Sequence, residues 1–223
     1  ASLRLGNFFQ SASLNPERDE TDFLPPEERF YAGGANSVRG YTRNELGPGI
    51  YFARWAIPTG SGFVPAKVLD VDPEDAPPDA YFVREPDGDS TIITQVLQPC
   101  ADCVEFVPTG GTSMMVANIE LRLPSPFFRR QLRLAAFVDA GSVTTGNLWD
   151  MRDFRFTPGV GLRIITPVGP ARVDMAYNPY NPPTSALFVA TQGRIVAGAD
   201  NFTVDPPSFW GRLKFHIAIG QAF

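Results

Sequence analysis

The chain has few lysines, few charges of any kind and no excess of basic residues. Only two of its 19 basic residues are lysine, charged residues make up 19%, and the formal net charge is -5 with a pI near 4.9. A nucleic-acid-binding protein would carry a basic face, so that class is excluded. The dominance of arginine over lysine suits fixed, hydrogen-bonded ion pairs better than a solvated lysine surface.

Long apolar runs are also absent. The chain contains no stretch of about 18 consecutive apolar residues, which excludes a transmembrane helix. No signal peptide is visible, and the chain opens on Ala1 instead of methionine. We expect either that a leader has been cleaved or that the chain is part of a longer protein, and the number of strands favours the second.

Residues for catalysis or cofactor binding are sparse. His216 is the only histidine, so a Ser-His-Asp arrangement has one possible base, and no G-x-S-x-G elbow accompanies it. A structural role is therefore expected for His216. Gly33 and Gly34 are followed by Arg39 and lack the Lys-Ser/Thr of a phosphate-binding loop, which excludes nucleotide binding. The chain is predicted to have no enzymatic activity, no catalytic residue and no cofactor.

The two cysteines, Cys100 and Cys103, form a single C-x-x-C. A zinc site would need two further ligands, and no second C-x-x-C or nearby histidine supplies them. Thioredoxin-like redox chemistry would need a βαβ context, which an all-β chain does not offer. We therefore expect no metal here, and a local disulfide formed in an oxidising compartment.

What the sequence does contain is aromatic residues, at 12%, and segments in which apolar residues occupy every second position. Such alternation is typical of strands with one apolar and one polar face. We predict strands at 113–123, 132–140, 159–165, 171–177 and 212–223, with a weaker candidate at 2–9.

The connections between these segments alternate between short and long. The turns at 124–131 and 167–170 are short and proline-rich. The long excursions span 11–111, 141–153 and 178–210. A soluble sandwich rarely alternates in this way, whereas a transmembrane barrel has short turns at one end and long loops at the other. The acidic, proline-rich segment 66–90 is interpreted as a solvated surface loop.

A membrane barrel and a soluble sandwich make different predictions for the two faces of these strands. In a barrel the apolar face contacts lipid and the polar face lines the lumen, whereas in a sandwich the apolar face is core. The expected lipid-facing set is Leu121, Leu134, Val138, Leu162, Ile164, Val173, Phe215, Ile217 and Ile219. The expected lumen-facing set is Glu120, Arg122, Arg133, Asp139, Arg163, Arg172, Asp174, Lys214 and His216.

The most informative segment is 28–41, in which small residues and glycines lead to one arginine. Glycines let the backbone turn where a Cβ would clash, and arginine offers a planar fork of five donors. Read alone, the segment is a tight loop that presents Arg39. The loop motif comprises Gly33, Gly34, Val38, Arg39, Gly40 and Tyr41.

Four motifs and the chain ending carry a resemblance to a known family. The motifs are RFYAGGANSVRGY at 29–41, NIELRLP at 118–124, FVDAG at 137–141 and GVGLRIITPVGPARVD at 159–174, and the ending is FHIAIGQAF at 215–223. In this order the chain resembles the outer-membrane-protein assembly superfamily, the BamA/TamA barrels. A lone VRGY would be weak support, but four ordered motifs span nearly the whole chain.

The resemblance implies where the loop motif lies. In that family the long loop folds back into the barrel lumen, and its arginine contacts the FVDAG strand. Carried over, this places Arg39 against Asp139 and beside Phe137, with Glu120 as a second acceptor. A buried arginine needs such a partner, because an uncompensated buried charge costs several kcal/mol.

The resemblance also implies a function. Family members insert other β-barrel proteins into the bacterial outer membrane, or translocate substrates through it, without nucleotide or metal. The seam between first and last strands is thought to open so that a client strand adds to the exposed edge. Here the seam strand is 212–223, with Phe215, Gly220 and Phe223, and Gly220 either lets it kink or is a small residue in a crowded lumen.

Full family members resemble barrels of about sixteen strands preceded by periplasmic POTRA domains. Residues 1–223 are therefore expected to be the C-terminal six antiparallel strands of one transmembrane β-barrel domain, with the loop 11–111 folded into the lumen. The implied partners are outer-membrane lipids and lipopolysaccharide, unfolded β-barrel clients and accessory assembly subunits. Two alternatives stay open: a two-partner-type secretion pore for a dedicated exoprotein, and a purely structural barrel or passive porin.

Overall fold

The computed structural model describes residues 2–7, 24–60, 62–87, 90–126, 131–146, 153–166, 169–191 and 194–219. Within these ranges the chain is all-β, with fourteen strands and short 3-10 turns. No helix in the described ranges has the length and apolar character needed to cross a membrane.

The chain forms two compact units. Unit 1 comprises Ala1–Gly49, Pro108–Asn181 and Pro207–Phe223, and unit 2 comprises Ile50–Val107 and Pro182–Pro206. Because each unit draws on separate parts of the chain, both depend on contacts between residues far apart in sequence. The loop motif belongs to unit 1.

Unit 1 is built on a six-stranded antiparallel sheet in the order β1-β8-β9-β10-β11-β14. Its strands are β1 (Ser2–Asn7), β8 (Ser113–Pro124), β9 (Leu132–Thr144), β10 (Arg155–Thr166), β11 (Gly169–Tyr177) and β14 (Leu213–Ile219). These are the six strands that the alternating pattern predicts, and the predicted fold class is confirmed. Both β9 and β10 extend several residues beyond their predicted ends.

The register gathers the apolar positions of neighbouring strands into continuous rows. Leu123, Leu134, Leu162, Val173 and Ile217 are directly paired from β8 to β14. Most of the expected lipid-facing set is exposed, with Ile217 at 73%, while Ile164 and Val173 are half-buried. The sandwich alternative requires these side chains to be packed against a second sheet, so the exposure argues against it. We call this the outer face.

The opposite side of the sheet, here called the inner face, carries the polar and charged positions. Asp139 lies opposite Asn118 on one side and Thr157 on the other, and Asp174 lies opposite His216. Asp139, Thr157 and Asp174 are fully buried. One face of the sheet is therefore mainly apolar and exposed, and the other carries polar side chains that are buried at Asp139, Thr157 and Asp174 and exposed at Arg122 and Arg133.

The structure corrects the interpretation of two long excursions, 11–111 and 178–210, as loops, because both contain several strands. The same correction applies to the acidic segment 66–90, which lies within the first of them. Their strands are β2 (Gly49–Ala53), β3 (Trp55–Thr59), β4 (Gly62–Leu69), β5 (Tyr81–Asp87), β6 (Ser90–Pro99), β7 (Glu105–Pro108), β12 (Ser185–Thr191) and β13 (Arg194–Phe202). Prolines within or at the ends of five of these strands argue against strands in the sequence. The acidic residues of unit 2 whose burial is described are nevertheless exposed, as expected for a solvated surface.

Unit 2 contains two four-stranded sheets. One has the order β13-β12-β2-β7, in which β12 and β2 run parallel, and the other has the order β3-β4-β6-β5. Its largest core cluster consists of Tyr51, Ala53, Leu187 and Val189. Tyr51 packs edge-on against two phenylalanine rings and donates its hydroxyl to the carbonyl of Pro183 at 2.8 Å. The core of unit 2 is therefore apolar.

Candidate functional site

The loop motif begins with two glycines in a conformation that side chains rarely adopt. Gly33 has φ of 112° and Gly34 has φ of 97°. The Gly34 amide lies against the carbonyls of Val38 and Tyr41, at 3.2 and 3.0 Å. The turn is thus closed by its own backbone, which presents the side chain of Arg39 to the inner face.

Arg39 forms a two-pronged ion pair with Asp139 on β9. Its Nε donates to Oδ2 and its Nη2 donates to Oδ1, both at 2.7 Å, and the Arg39 backbone amide donates to Oδ2 at 2.9 Å. The exposed fraction is 4% for Arg39 and 0% for Asp139. The contact that the family resemblance implies is therefore present, in the fork geometry that arginine and carboxylate prefer.

The Arg39 guanidinium also lies over an aromatic ring. Its central carbon is 3.3 Å from the centroid of Phe137, a close cation–π contact. Phe137 is directly paired with Gly159 on β10, and a Cβ at Gly159 would collide with the Phe137 ring. The missing side chain at Gly159 therefore gives the ring space to lie flat beneath Arg39.

A second arginine and two more carboxylates extend the ion pair across the inner face. Arg39 Nη1 donates to Glu120 Oε2 at 2.9 Å, and Arg163 Nη2 donates to the same oxygen at 2.7 Å. Arg163 Nη1 donates to Asp174 Oδ1 at 2.5 Å. Arg122 adds a bond from Nε to Glu120 Oε1 at 2.8 Å. We call these residues, with Asp139, the ionic network.

The charges of the ionic network balance, with three arginines and three carboxylates. Asp174 Oδ2 accepts no aligned hydrogen bond but lies 3.5 Å from Arg39 Nη1, close enough for ionic attraction. Burial alone would lower the pKa of Arg39, but the hydrogen bonds and charge of Asp139, with Glu120, raise it above the ordinary value. Arg39 therefore keeps its charge at any pH that the fold survives.

Further hydrogen bonds attach the loop to strands on both sides of β9. Asn118 on β8 donates to the Ser37 carbonyl at 2.7 Å, and the Gly40 amide donates to the Thr157 hydroxyl on β10 at 3.3 Å. A Cβ at Gly40 would collide with Thr157, so only glycine allows this approach.

The two last strands of the sheet also hold the loop. Arg172 on β11 donates to the Ala35 carbonyl at 3.0 Å and to the side chain of Asn36. His216 on β14 places Nε2 at 2.8 Å from the carbonyl of Arg39, so this nitrogen carries the proton. Since a carbonyl accepts and cannot donate, the bond persists whether the ring is neutral or charged. The loop thus contacts five consecutive strands, β8 to β11 and β14.

An apolar cluster also packs the loop against the sheet. Val38 is fully buried and packs with Ala32, Leu46 and two side chains of the sheet. A Cβ at Gly141 would lie 2.6 Å from the Val38 Cγ2, so the glycine of FVDAG makes room for Val38. Burial raises the pKa of the Tyr41 phenol to about 12, which keeps that side chain neutral.

The structure does not bring every predicted site residue to this place. It gathers the loop motif with Glu120, Phe137 and Asp139, whereas Phe215 points to the outer face and is exposed. Gly220 and Phe223 lie outside the described residues. Cys100 and Cys103 are joined by a disulfide in unit 2, with Cα atoms 5.4 Å apart. Among the described residues no cluster of three or more His, Cys, Asp or Glu side chains is placed to hold a metal.

Several residues that hold the loop were not among the predicted site residues. They are Asn118, Thr157, Gly159, Arg163, Arg172, Asp174 and His216. Most stand on the same alternating face as Asp139, so the pattern contained a signal for their orientation. The alternating pattern contained no signal for the groups that these side chains contact, because those contacts depend on where a loop about 100 residues away in sequence meets the sheet.

The match to a known family covers the whole of this architecture. A model of the Omp85 superfamily domain matches residues 3–223, a range that includes the loop motif, the six strands of unit 1 and all of unit 2. Members of this superfamily are outer-membrane β-barrel proteins without enzymatic activity, and they include factors that insert outer-membrane proteins and pores that secrete proteins. They generally interact with substrate proteins and accessory subunits. The chain belongs to the Omp85 superfamily.

Proposed function

We propose that this chain is the C-terminal part of a β-barrel that inserts and assembles other β-barrel proteins in the bacterial outer membrane. The observation that carries the proposal is the loop motif held against five strands of one sheet by the Arg39–Asp139 pair. A passive pore needs an open lumen, whereas this loop covers the inner face. The six strands would be the last of about sixteen, preceded by POTRA domains.

The outer face supports the membrane location. Its rows of exposed aliphatic and aromatic side chains cross the sheet from β8 to β14. Water disfavours so continuous an apolar surface, whereas lipid solvates it without cost. The partners on this side would be outer-membrane lipids and lipopolysaccharide.

The position of β14 supports a role for strand addition. In the described sheet β14 is the last strand and pairs with β11. In a closed barrel it would meet the first strand at the seam, and opening of that seam would expose an edge to which a client strand could add. The bond between His216 and the Arg39 carbonyl ties this edge strand to the loop motif. The loop would thereby keep the seam between the first and last strands arranged so that a client strand can add to it while accessory subunits bind.

The proposal is tested with the full-length protein in lipid vesicles supplied with an unfolded β-barrel client. We expect wild type to accelerate client folding. Arg39→Ala is expected to lower that rate more than it lowers incorporation of the protein itself, because Asp139 loses its partner while the outer face is intact. Arg84→Ala, an exposed arginine of unit 2, is the matched control and should leave both rates unchanged.

Two results would contradict the proposal. One is a wild-type protein that leaves the folding rate of every tested barrel client unchanged. The other is release of one dedicated exoprotein across the vesicle membrane in the absence of client folding, which would establish the secretion-pore alternative. The number of POTRA domains upstream separates the same two roles, since several favour assembly and two favour secretion.

A further inference from the structure

Three arginines stand side by side on the inner face, one on each of the neighbouring strands β9, β10 and β11. The register pairs Arg163 directly with Arg133 on one side and with Arg172 on the other. Residues that are directly opposite in an antiparallel pair point to the same face, and like charges in that arrangement destabilise the sheet. We call these three residues the arginine row. Its cations therefore need compensation from elsewhere.

The middle arginine of the row is compensated within the protein. Arg163 is 7% exposed, and its guanidinium donates to Glu120 and to Asp174. Both carboxylates belong to the ionic network, in which three arginines balance three carboxylates. The ionic network therefore has no negative charge left for the two outer arginines of the row.

The two outer arginines have no carboxylate partner in the described part of the chain. Arg172 donates to two neutral groups, the Ala35 carbonyl and the Asn36 side chain, and its buried Nε has no hydrogen-bond partner there. Arg133 is exposed, and no described carboxylate forms an ion pair with it. The arginine row thus carries two positive charges that the described residues do not neutralise.

The arginine row lies near the end of the sheet at which the turns are short. Arg133 is the second residue of β9, Arg163 is three residues before the end of β10, and Arg172 is three residues after the start of β11. The segments that supply this end of the sheet contain no aspartate or glutamate: 121–138, 154–173 and 206–223. This end of the inner face is therefore cationic.

We propose that the arginine row binds an acidic segment of another polypeptide, in which two carboxylates neutralise Arg133 and Arg172. The inference rests on the proposed function for the source of that segment, an unfolded client that enters at this end of the barrel. Arginine suits the task, because its planar fork binds a carboxylate through two parallel hydrogen bonds.

The spacing of the row indicates the spacing of the acidic residues. Arg133 and Arg172 are two strands apart, which is about 10 Å at the usual distance between strands. In the polyproline II conformation, which is common in unfolded chains, residues three apart lie on the same side at about 9 Å. An unfolded segment with acidic residues at positions i and i+3 therefore reaches both arginines.

The face on which the row lies favours a polypeptide over a lipid. The row shares the inner face with the ionic network and the loop motif, whereas the exposed apolar rows lie on the opposite side of the sheet. A lipid headgroup would reach the rim of the outer face. The inner face is the side on which a polypeptide inside the barrel would pass.

Peptide binding to the full-length protein in detergent micelles tests the inference. The probe is a short unfolded peptide with two aspartates three residues apart and an uncharged dye, and fluorescence anisotropy gives its affinity. We expect Arg133→Gln to bind it about tenfold more weakly than wild type, because one charge-assisted pair is lost. The matched control is Arg84→Gln, an exposed arginine of unit 2, which should bind like wild type.

An exchange of charge separates recognition from a general effect on the fold. Two further peptides each carry lysine in place of one of the aspartates. We expect Arg133→Glu to bind one of these peptides more tightly than wild type does, because the new carboxylate pairs with the lysine. A protein that was merely damaged by the substitution would bind all peptides more weakly.

Three results would overturn the inference. The first is equal affinity of wild type for the acidic peptide and for its counterpart with two asparagines. The second is equal affinity of wild type and Arg133→Gln for the acidic peptide. The third is an Arg133→Gln variant that differs from wild type only in weaker retention of phosphatidylglycerol, which would assign the row to lipid phosphate.

Client folding measured with the same proteins separates this inference from the proposed function. Binding of the acidic peptide by a wild-type protein that does not accelerate client folding would support the arginine row and contradict the proposed function. Accelerated folding by a protein that does not bind the acidic peptide would contradict the arginine row alone.

Discussion

The two units handle charge in opposite ways. Unit 2 has twelve acidic and four basic residues, a formal charge of -8, and its core cluster of Tyr51, Ala53, Leu187 and Val189 contains no charged side chain. Unit 1 has twelve acidic and fifteen basic residues, a formal charge of +3, and buries Arg39, Arg163, Asp139 and Asp174. The charged side chains of unit 2 whose burial is described are all exposed to water, whereas unit 1 buries several of its own.

The difference has a physical consequence. An apolar core tolerates many side chains of similar volume, because its stabilisation is roughly proportional to buried area. A buried ionic network tolerates little, since removal of one member leaves another charge without compensation. Such networks add less stability than their appearance suggests, but they define one arrangement of the loop against the sheet. Unit 1 therefore gains a defined loop position where unit 2 gains only a stable core.

The largest expected effect comes from breaking the ionic network. Arg39→Ala should destabilise unit 1 by about 3–5 kcal/mol, because Asp139 stays buried without its partner. The free energy of unfolding in urea with lipid vesicles measures this. Adding Asp139→Ala to Arg39→Ala should recover part of the loss, and a double variant that is less stable than the single one would contradict the explanation.

The apolar core of unit 2 should respond to a cavity. Leu187→Ala is expected to destabilise unit 2 by about 2–5 kcal/mol, because Leu187 is buried in its main core cluster. Hydrogen exchange should speed up in β2, β12 and β13, while the amides of β9 and β10 keep their protection. The matched control is Leu187→Met, which nearly conserves volume and should cost less than about 1.5 kcal/mol. Equal loss of protection in both units would show that they are not separate cores.

The two faces of β14 should respond differently to a new charge. Ile217→Arg is expected to cost about 2–4 kcal/mol in vesicles, because it places a cation on the outer face. The alternating pattern predicts that arginine at the inner-face position His216 has a mild effect, but the bond of His216 to the Arg39 carbonyl makes Lys214→Arg the better control. Lys214 shares the inner-face row of Ala176, so this substitution should be nearly neutral. Because Lys214 already carries a cation, a stability loss there as large as that at Ile217 would mean that the cost comes from the size of arginine and not from a cation on the outer face.

The disulfide should have the smallest effect. Its two cysteines are three residues apart, and the entropy gained by closing a loop grows with its length. Replacing Cys100 and Cys103 by serine should cost at most ~2 kcal/mol and should leave unit 1 unchanged. In the intact protein we expect neither thiol to react with a membrane-impermeant label until a reductant is added. Labelling of both cysteines under non-reducing conditions would mean that the bridge is absent in solution.

Much of unit 1 could be predicted from sequence because its strands carry a local signal. A strand with one apolar and one polar face alternates along the chain, so β8 to β11 and β14 are visible without any partner. The rows of the sheet then follow from antiparallel pairing of consecutive strands. Unit 2 gave no such signal, since five of its strands contain or end in proline and its sheets pair segments as distant as β2 and β12.

The sequence by itself determined the fold class, the six strands and the orientation of their side chains, because alternation along the chain is a local pattern. It also determined the family, because the family motifs occur in order along the chain. The resemblance also implied that Arg39 meets Asp139 and Glu120, but only the tertiary structure decided the remaining contacts. The bridge of Arg163 between Glu120 and Asp174, the ring of Phe137 over Gly159 and the bond from His216 join groups separated by up to 177 residues. Such contacts depend on register and on the point where a long excursion returns, and these are set by the free energy of the whole packed unit.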